Sequence, residues 1–242
     1  IGPLAAAFVV VPHGQPSLAW FAAIALLAMA ILWKVGEWAS SATPKRKSGI
    51  AGAGLIHSRG RTAVALAVLA LLTFSKNIYT ASFSSFYTFY AIHEFGVSVQ
   101  ASQLMLFEFL AASAVGTILG GLYGDRFGPK VVIWFSIVGA LPFSLALPYA
   151  DLTWTVILSV IIGLILSSAF PAIVVFAQEL IPGRVGMISG IFFGAAFGIA
   201  GIAAGVLGLV ADAKGVAYVY EICSFLPLLG LLTVFLPGTD RS

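Results

Sequence analysis

Charge is what this 242-residue chain has least of. Only 9% of its residues are Asp, Glu, Lys or Arg, whereas a soluble domain carries about 25% because its surface faces water. Apolar residues make up 60% and the mean hydropathy is +1.07. So few charges exclude an ordinary soluble domain and leave a surface that faces hydrocarbon. Cysteine is nearly absent too: Cys223 alone excludes an internal disulfide and a cysteine-based metal framework. Alternation is also missing. Barrel strands alternate apolar and polar residues over about ten positions, yet apolar runs here continue for roughly a membrane's width, as in Val156–Ile165 leading into Phe170–Phe176. In lipid every backbone N–H and C=O needs an internal partner, so these runs are helices.

Catalytic and nucleotide signatures are lacking as well. His93-Glu94 has no second histidine at helical spacing, and His13 and His57 stand alone. Gly52-Ala53-Gly54 follows no strand and lacks a third glycine in register, and no Gly-x-Ser-x-Gly elbow occurs. The expectation is no enzyme, no cofactor, no metal and no nucleic-acid partner, with an ion gradient rather than ATP as driving force.

About 20 apolar residues at 1.5 Å each cross a bilayer core. That ruler predicts a partial span at 1–12 and full spans at 17–38, 62–91, 99–122, 129–149, 153–178, 186–210 and 216–236. The span from Arg61 exceeds the need and should tilt. An apolar run too short to span at the start suggests a chain that begins inside a helix of a longer protein. Residues 39–61, with Pro44-Lys45-Arg46-Lys47 and several glycines and serines, read as a flexible cytoplasmic linker. With that linker inside, ten of the twelve Lys and Arg fall on the cytoplasmic side, Lys214 falls outside and Lys76 lies within a span.

The turn between the spans 99–122 and 129–149 reads Gly120-Gly121-Leu122-Tyr123-Gly124-Asp125-Arg126-Phe127-Gly128-Pro129-Lys130. Its glycines let helices approach closely, and Asp-Arg forms an ionic latch with two states. Gly128 permits a tight turn, and Pro129 opens the next helix where no N–H is needed. This loop resembles the signature of the major facilitator superfamily, a glycine followed by Asp-Arg-x-Gly and basic residues. It departs at Pro129, where the pattern has a basic residue, while Lys130 keeps one charge.

In that superfamily the loop recurs after the second helix of each six-helix half. The resemblance therefore implies an all-α membrane protein in which 62–242 is the C-terminal six-helix bundle. Residues 1–38 would be the end of the N-terminal bundle (part of the fifth helix, and the sixth). The likeness extends to drug exporters of the superfamily through Phe74-Ser75-Lys76-Asn77-Ile78-Tyr79, Ser84-Ser85-Phe86-Tyr87-Thr88-Phe89-Tyr90 and Gln178-Glu179-Leu180-Ile181-Pro182-Gly183-Arg184. Gly2-Pro3 fits the glycine-proline motif in the fifth helix of many proton-coupled exporters. The resemblance implies export of a small antibiotic coupled to proton entry. It also implies a multi-pass protein of the cell (inner) membrane, and the Lys and Arg placement puts its C-terminus in the cytoplasm. Its partners would be lipid, protons, a small-molecule substrate and the missing N-terminal half. The rivals are uptake of an organic anion or phosphate-containing metabolite by the same fold, and a membrane-embedded enzyme or scaffold.

A charged side chain at a helix centre costs roughly 2.5–3.5 kcal/mol by insertion measurements, so the few within spans identify candidates. Lys76 lies mid-span with Asn77 beside it, and Tyr79 and Tyr87 share its side of the helix. One reading has these four hold an anionic group, phosphonate or carboxylate; others make Lys76 a proton-coupling group or the ion-pair partner of Glu108. Glu108, mid-span in 99–122, reads either as a proton-carrying carboxylate or as that partner. Gly121, Asp125, Arg126, Gly128, Lys130 and Glu179 form the expected gating set, with Arg126 and Glu179 pairing across the inner gate in one state. Gly186, Gly190, Gly194, Gly198, Gly201 and Gly205 predict a smooth face for close packing and sliding, and Pro171 a kink beside the cavity.

Overall fold

The structure is a computed structural model and describes residues 2–14, 17, 19–42, 59–181 and 183–236. Among these the chain is helical throughout, without strands. In chain order the helices are α1 (Gly2–Ala5), α2 (Val11–His13), α3 (Ala19–Ala42), α4 (Arg59–Phe95), α5 (Val99–Phe127), α6 (Pro129–Ala146), α7 (Leu152–Ser167), α8 (Ala169–Leu180), α9 (Val185–Lys214) and α10 (Val216–Cys223). A π-helical stretch, Ala6–Val10, joins α1 to α2, and 3-10 turns at Leu147–Tyr149 and Leu226–Phe235 extend α6 and α10. Among the described residues, six segments are long and apolar enough to cross a membrane: Gly60–Phe95, Val99–Phe127, Pro129–Tyr149, Leu152–Leu180, Val185–Lys214 and Val216–Val234. α4 has 37 residues, roughly 55 Å, well beyond a bilayer core of about 30 Å. Helix runs into both ends of the 39–61 segment, through Ala42 and from Arg59. The centre of the expected linker, with Lys45, Arg46 and Lys47, lies outside the described residues, as does Arg241.

The boundaries follow local chemistry. Ser98 and Asp151 cap α5 and α7, accepting from the Ala101 and Trp154 N–H groups at 3.2 and 2.8 Å. α5 ends at Gly128, whose φ of 87° suits glycine and whose N–H donates to the Gly124 carbonyl at 3.0 Å; Pro129 then starts α6. The helical run 152–180 breaks at Ser168, three residues before Pro171, which lacks the N–H that would bond the preceding turn. Ser168 Oγ donates to the Ile165 carbonyl at 2.6 Å and also meets Ser136 Oγ of α6.

Two hydrophobic clusters fill the bundle. One gathers Tyr79, Phe83, Tyr87, Tyr90, Phe109 and Tyr220; the other gathers Leu69, Leu72, Ile133, Ile173, Phe176 and Phe192. Along α4 they part between Leu72 and Tyr79, and that interval holds buried Thr73, Ser75 and Lys76. Ser75 Oγ donates across to the Leu226 carbonyl at 2.6 Å. A polar seam thus separates the two apolar layers.

The closest helix approaches lie on α5 and α7, not on α9. A Cβ on Gly116 would fall onto the Leu164 backbone, and one on Gly120 onto Ser168. One on Gly163 would lie 2.8 Å from the Phe109 carbonyl oxygen. The α9 glycines, expected to form a face for close packing and sliding, make no such contact among the described residues: around all six, nothing lies within 4 Å. α9 packs through Ile188, Phe192, Ala196, Ala203 and Leu207. Those residues occupy one stripe of the helix and turn the glycines to the opposite face.

Candidate functional site

Lys76 is the one charged side chain buried by the fold among the described residues. It is 8% exposed, and its ammonium lies over the Phe170 ring, 4.9 Å from the centroid. It makes no ion pair among the described residues, so the expected alternative of a Lys76–Glu108 pair is not formed. Phe170 is the second residue of α8, just past the break at Ser168. Its ring meets Phe193 of α9 edge to face, with centroids 5.0 Å apart and planes at 89°. Two turns further along α8, Gln178 Nε2 donates to Ser189 Oγ at 2.7 Å, which ties α8 to α9 on the same side. Three elements therefore converge on the ammonium: α4 supplies the cation, α8 the ring beneath it, and α9 the ring that braces the first.

Beside Lys76 runs a stripe that the sequence reading did not single out. Thr73, Asn77, Thr80, Ser84 and Thr88 recur every three or four residues on one face of α4, and from Asn77 onward they are half-buried or exposed. Thr73 Oγ1 donates to the Leu69 carbonyl at 2.8 Å, Asn77 Nδ2 to Thr73 at 2.8 Å, Thr80 Oγ1 to Lys76 at 2.9 Å and Ser84 Oγ to Thr80 at 3.2 Å. Each of these groups donates within the helix, while its side-chain oxygen keeps acceptor capacity. The signal was the 3.6-residue recurrence of hydroxyls and amides in an apolar helix.

Tyr79 and Tyr87 do not join this face. Tyr79 is 1% exposed and stacks at a tilt on Phe83, while Tyr87 is fully buried and its hydroxyl donates to Ser159 Oγ at 3.0 Å. They lie on the side of α4 that α5, α7 and α10 cover, so in this conformation both belong to the aromatic core. Glu108 is exposed on α5, within electrostatic range of Tyr87.

The signature loop is placed as follows. Gly121 and Gly128 are half-buried, and Asp125 and Arg126 are exposed at the end of α5. The Arg126 guanidinium lies over the Phe127 ring at 5.4 Å, and Glu179 is half-buried near the end of α8. Lys130 Nζ donates to the Leu236 carbonyl, which ties the start of α6 to the end of the last 3-10 turn. An apolar groove of about 360 Å³ beside this loop, walled by Leu119, Tyr123, Phe127, Val131, Phe135 and Leu164, has few polar groups to orient a polar solute.

Six apolar helices around a polar seam define a multi-pass α-helical membrane protein. The sequence matches the Major Facilitator Superfamily over residues 1–205 and again over 69–242, and the chain belongs to that family. It is 53% identical over 239 residues to the fosmidomycin resistance protein of Escherichia coli (strain K12), an alignment covering 98% of this chain and 59% of that protein. It is 36% identical over 249 residues to the uncharacterized MFS-type transporter YfnC of Bacillus subtilis (strain 168), covering 100% of this chain and 60% of that one. The chain thus spans about 60% of the length of these curated relatives.

Proposed function

We propose that this chain is the larger part of a proton-coupled exporter of small polar or anionic antibiotics, fosmidomycin among them. In this reading 62–242 is the C-terminal six-helix bundle, 39–61 the cytoplasmic linker and 1–38 the end of the N-terminal bundle. The complete protein sits in the cell (inner) membrane with its C-terminus in the cytoplasm. It works by alternating access, the two halves rocking around a site near the midplane. The missing N-terminal half supplies the other wall of that site.

One observation carries the reading: the Lys76 ammonium is buried between two apolar layers and has no carboxylate partner among the described residues. A lone cation at such a depth is costly and marks a solute or ion path by default. Beside it the side-chain oxygens of Asn77, Thr80 and Ser84 suit the polar remainder of a small anion. The name of the E. coli relative supports an antibiotic as that solute. Glu108, exposed and mid-helix, is the proposed proton carrier, with Lys76 as its alternative. The gating set Gly121, Asp125, Arg126, Gly128, Lys130 and Glu179 acts at the cytoplasmic end, with Arg126 and Glu179 pairing across the inner gate in one state.

The test uses the full-length protein in cells lacking other fosmidomycin exporters. Lys76→Ala should abolish resistance at unchanged membrane levels, Glu108→Gln should uncouple it from the proton gradient, and a protonophore should remove it. Unchanged resistance in Lys76→Ala rejects the site, and protonophore-insensitive export rejects the coupling.

A further inference from the structure

We propose that Phe170 is a positioning residue for Lys76. Its ring holds the ammonium at a fixed point without neutralising the charge that draws an anion, and Phe193 locks the ring's orientation. This rests on the reading of Lys76 as the anion site and adds a determinant that the signature loop and the polar stripe do not contain.

A lysine side chain has four rotatable bonds and a strongly hydrated head. Buried without a counter-ion, it would swing toward any water within reach. Here the ring face lies 4.9 Å from Nζ, inside the range in which the aromatic quadrupole attracts a cation. A ring, unlike a carboxylate, holds the charge without neutralising it. The ammonium stays attractive to an incoming anion, which need not displace an ion-pair partner first.

The ring is itself held from two sides. Phe170 begins α8 immediately after the break, and Ser168 at that break is fixed by the Ser136 hydroxyl and by the close approach of Gly120. On its far side the T-shaped contact with Phe193 sets the tilt. Phe193 itself remains 45% exposed.

The experiment measures fosmidomycin transport by the full-length protein in everted membrane vesicles, with each variant normalised to its membrane level. Phe170→Leu and Phe170→Met keep an apolar side chain but remove the ring. Both should raise KM about tenfold, the scale of a desolvated cation–ring contact, with Vmax changed by less than about twofold. Phe170→Trp should restore KM to within about threefold, because its ring attracts a cation at least as well. Phe193→Leu should raise KM about threefold by loosening the ring. A packing role alone predicts that Leu and Met serve as well as Phe, or that Vmax falls with KM unchanged; either result overturns the proposal. Lys76→Ala runs in parallel. If it abolishes transport while Phe170→Leu behaves as the parent, the positioning role fails and the Lys76 site stands. If Lys76→Ala transports normally, the Lys76 reading fails, and the Phe170 role with it.

Discussion

α5 and α9 are both glycine-rich helices with small residues four apart: Ala112, Gly116, Gly120 and Gly124 on one, Gly186, Gly190, Gly194 and Gly198 on the other. On α5 the small residues are buried, and Gly116 and Gly120 touch the α7 segment backbone to backbone. On α9 every one of the four is exposed, with nothing within 4 Å. The difference lies in what shares the face. In α5 the small residues continue the stripe of Met105 and Phe109, which plugs into the aromatic cluster. In α9 the buried stripe is Ile188, Phe192 and Leu207, half a turn away from the glycines. Among membrane helices hydrophobicity does not separate inside from outside, since lipid tails are as apolar as leucine. The same small-residue spacing therefore serves as an interface in one helix and as an open face in the other.

Alanine at the α5 contacts should break this comparison most severely. The atoms that an added methyl meets at Gly116 and Gly120 are backbone, which cannot rotate away. Each substitution should cost about 3 kcal/mol, at the upper end of ordinary overpacking, and Gly120→Ala should also displace the break at Ser168. Cys223 supplies the measurement. It is the only cysteine in the chain and is buried, so a thiol dye reports its exposure as detergent-purified protein is heated. Gly116→Ala or Gly120→Ala labelling at the parent's midpoint would show that the two helices can separate without penalty. Gly163→Ala comes next at about 1–2 kcal/mol. Its new methyl would sit 2.8 Å from the Phe109 carbonyl oxygen but 3.0 Å from Ser113 Oγ, a side chain able to turn aside.

How much of this was legible beforehand follows the same division. The six spans from residue 60 onward could be read because a run of apolar residues as long as the bilayer is thick has few other uses, and the break at Ser168 followed from Pro171. Lys76 stood out because a charge within a span needs an explanation. Phe170 did not, since nothing in a phenylalanine within an apolar run says which helix it will face; only the packing of α8 against α4 brings it under the ammonium. Tyr79 and Tyr87 were assigned to the Lys76 side by helical spacing, but they face α5, α7 and α10 rather than Phe170. Whether that side opens to a cavity or to a core depends on α5, α7 and α10, and there it closes into a core. The Thr73–Thr88 stripe was available in the residue spacing and was outweighed by the charged neighbour.

The smallest expected effect is on the open face. Gly190→Ala, Gly194→Ala and Gly198→Ala, made together in the 242-residue chain, add three methyls where nothing lies within 4 Å. Alanine also loses less backbone entropy than glycine in a helix, a gain of about 0.5–1 kcal/mol per site in water. The Cys223 labelling midpoint should therefore stay at the parent value or rise. A fall comparable to that of Gly120→Ala would mean that the α9 face is already occupied within this chain, and the contrast between the two helices would vanish. An unchanged or higher midpoint, beside a collapsed one for Gly120→Ala, would establish that glycine spacing alone does not identify an interface in this bundle. The deciding variable is whether the bulky residues of the helix lie on the glycine side or across from it.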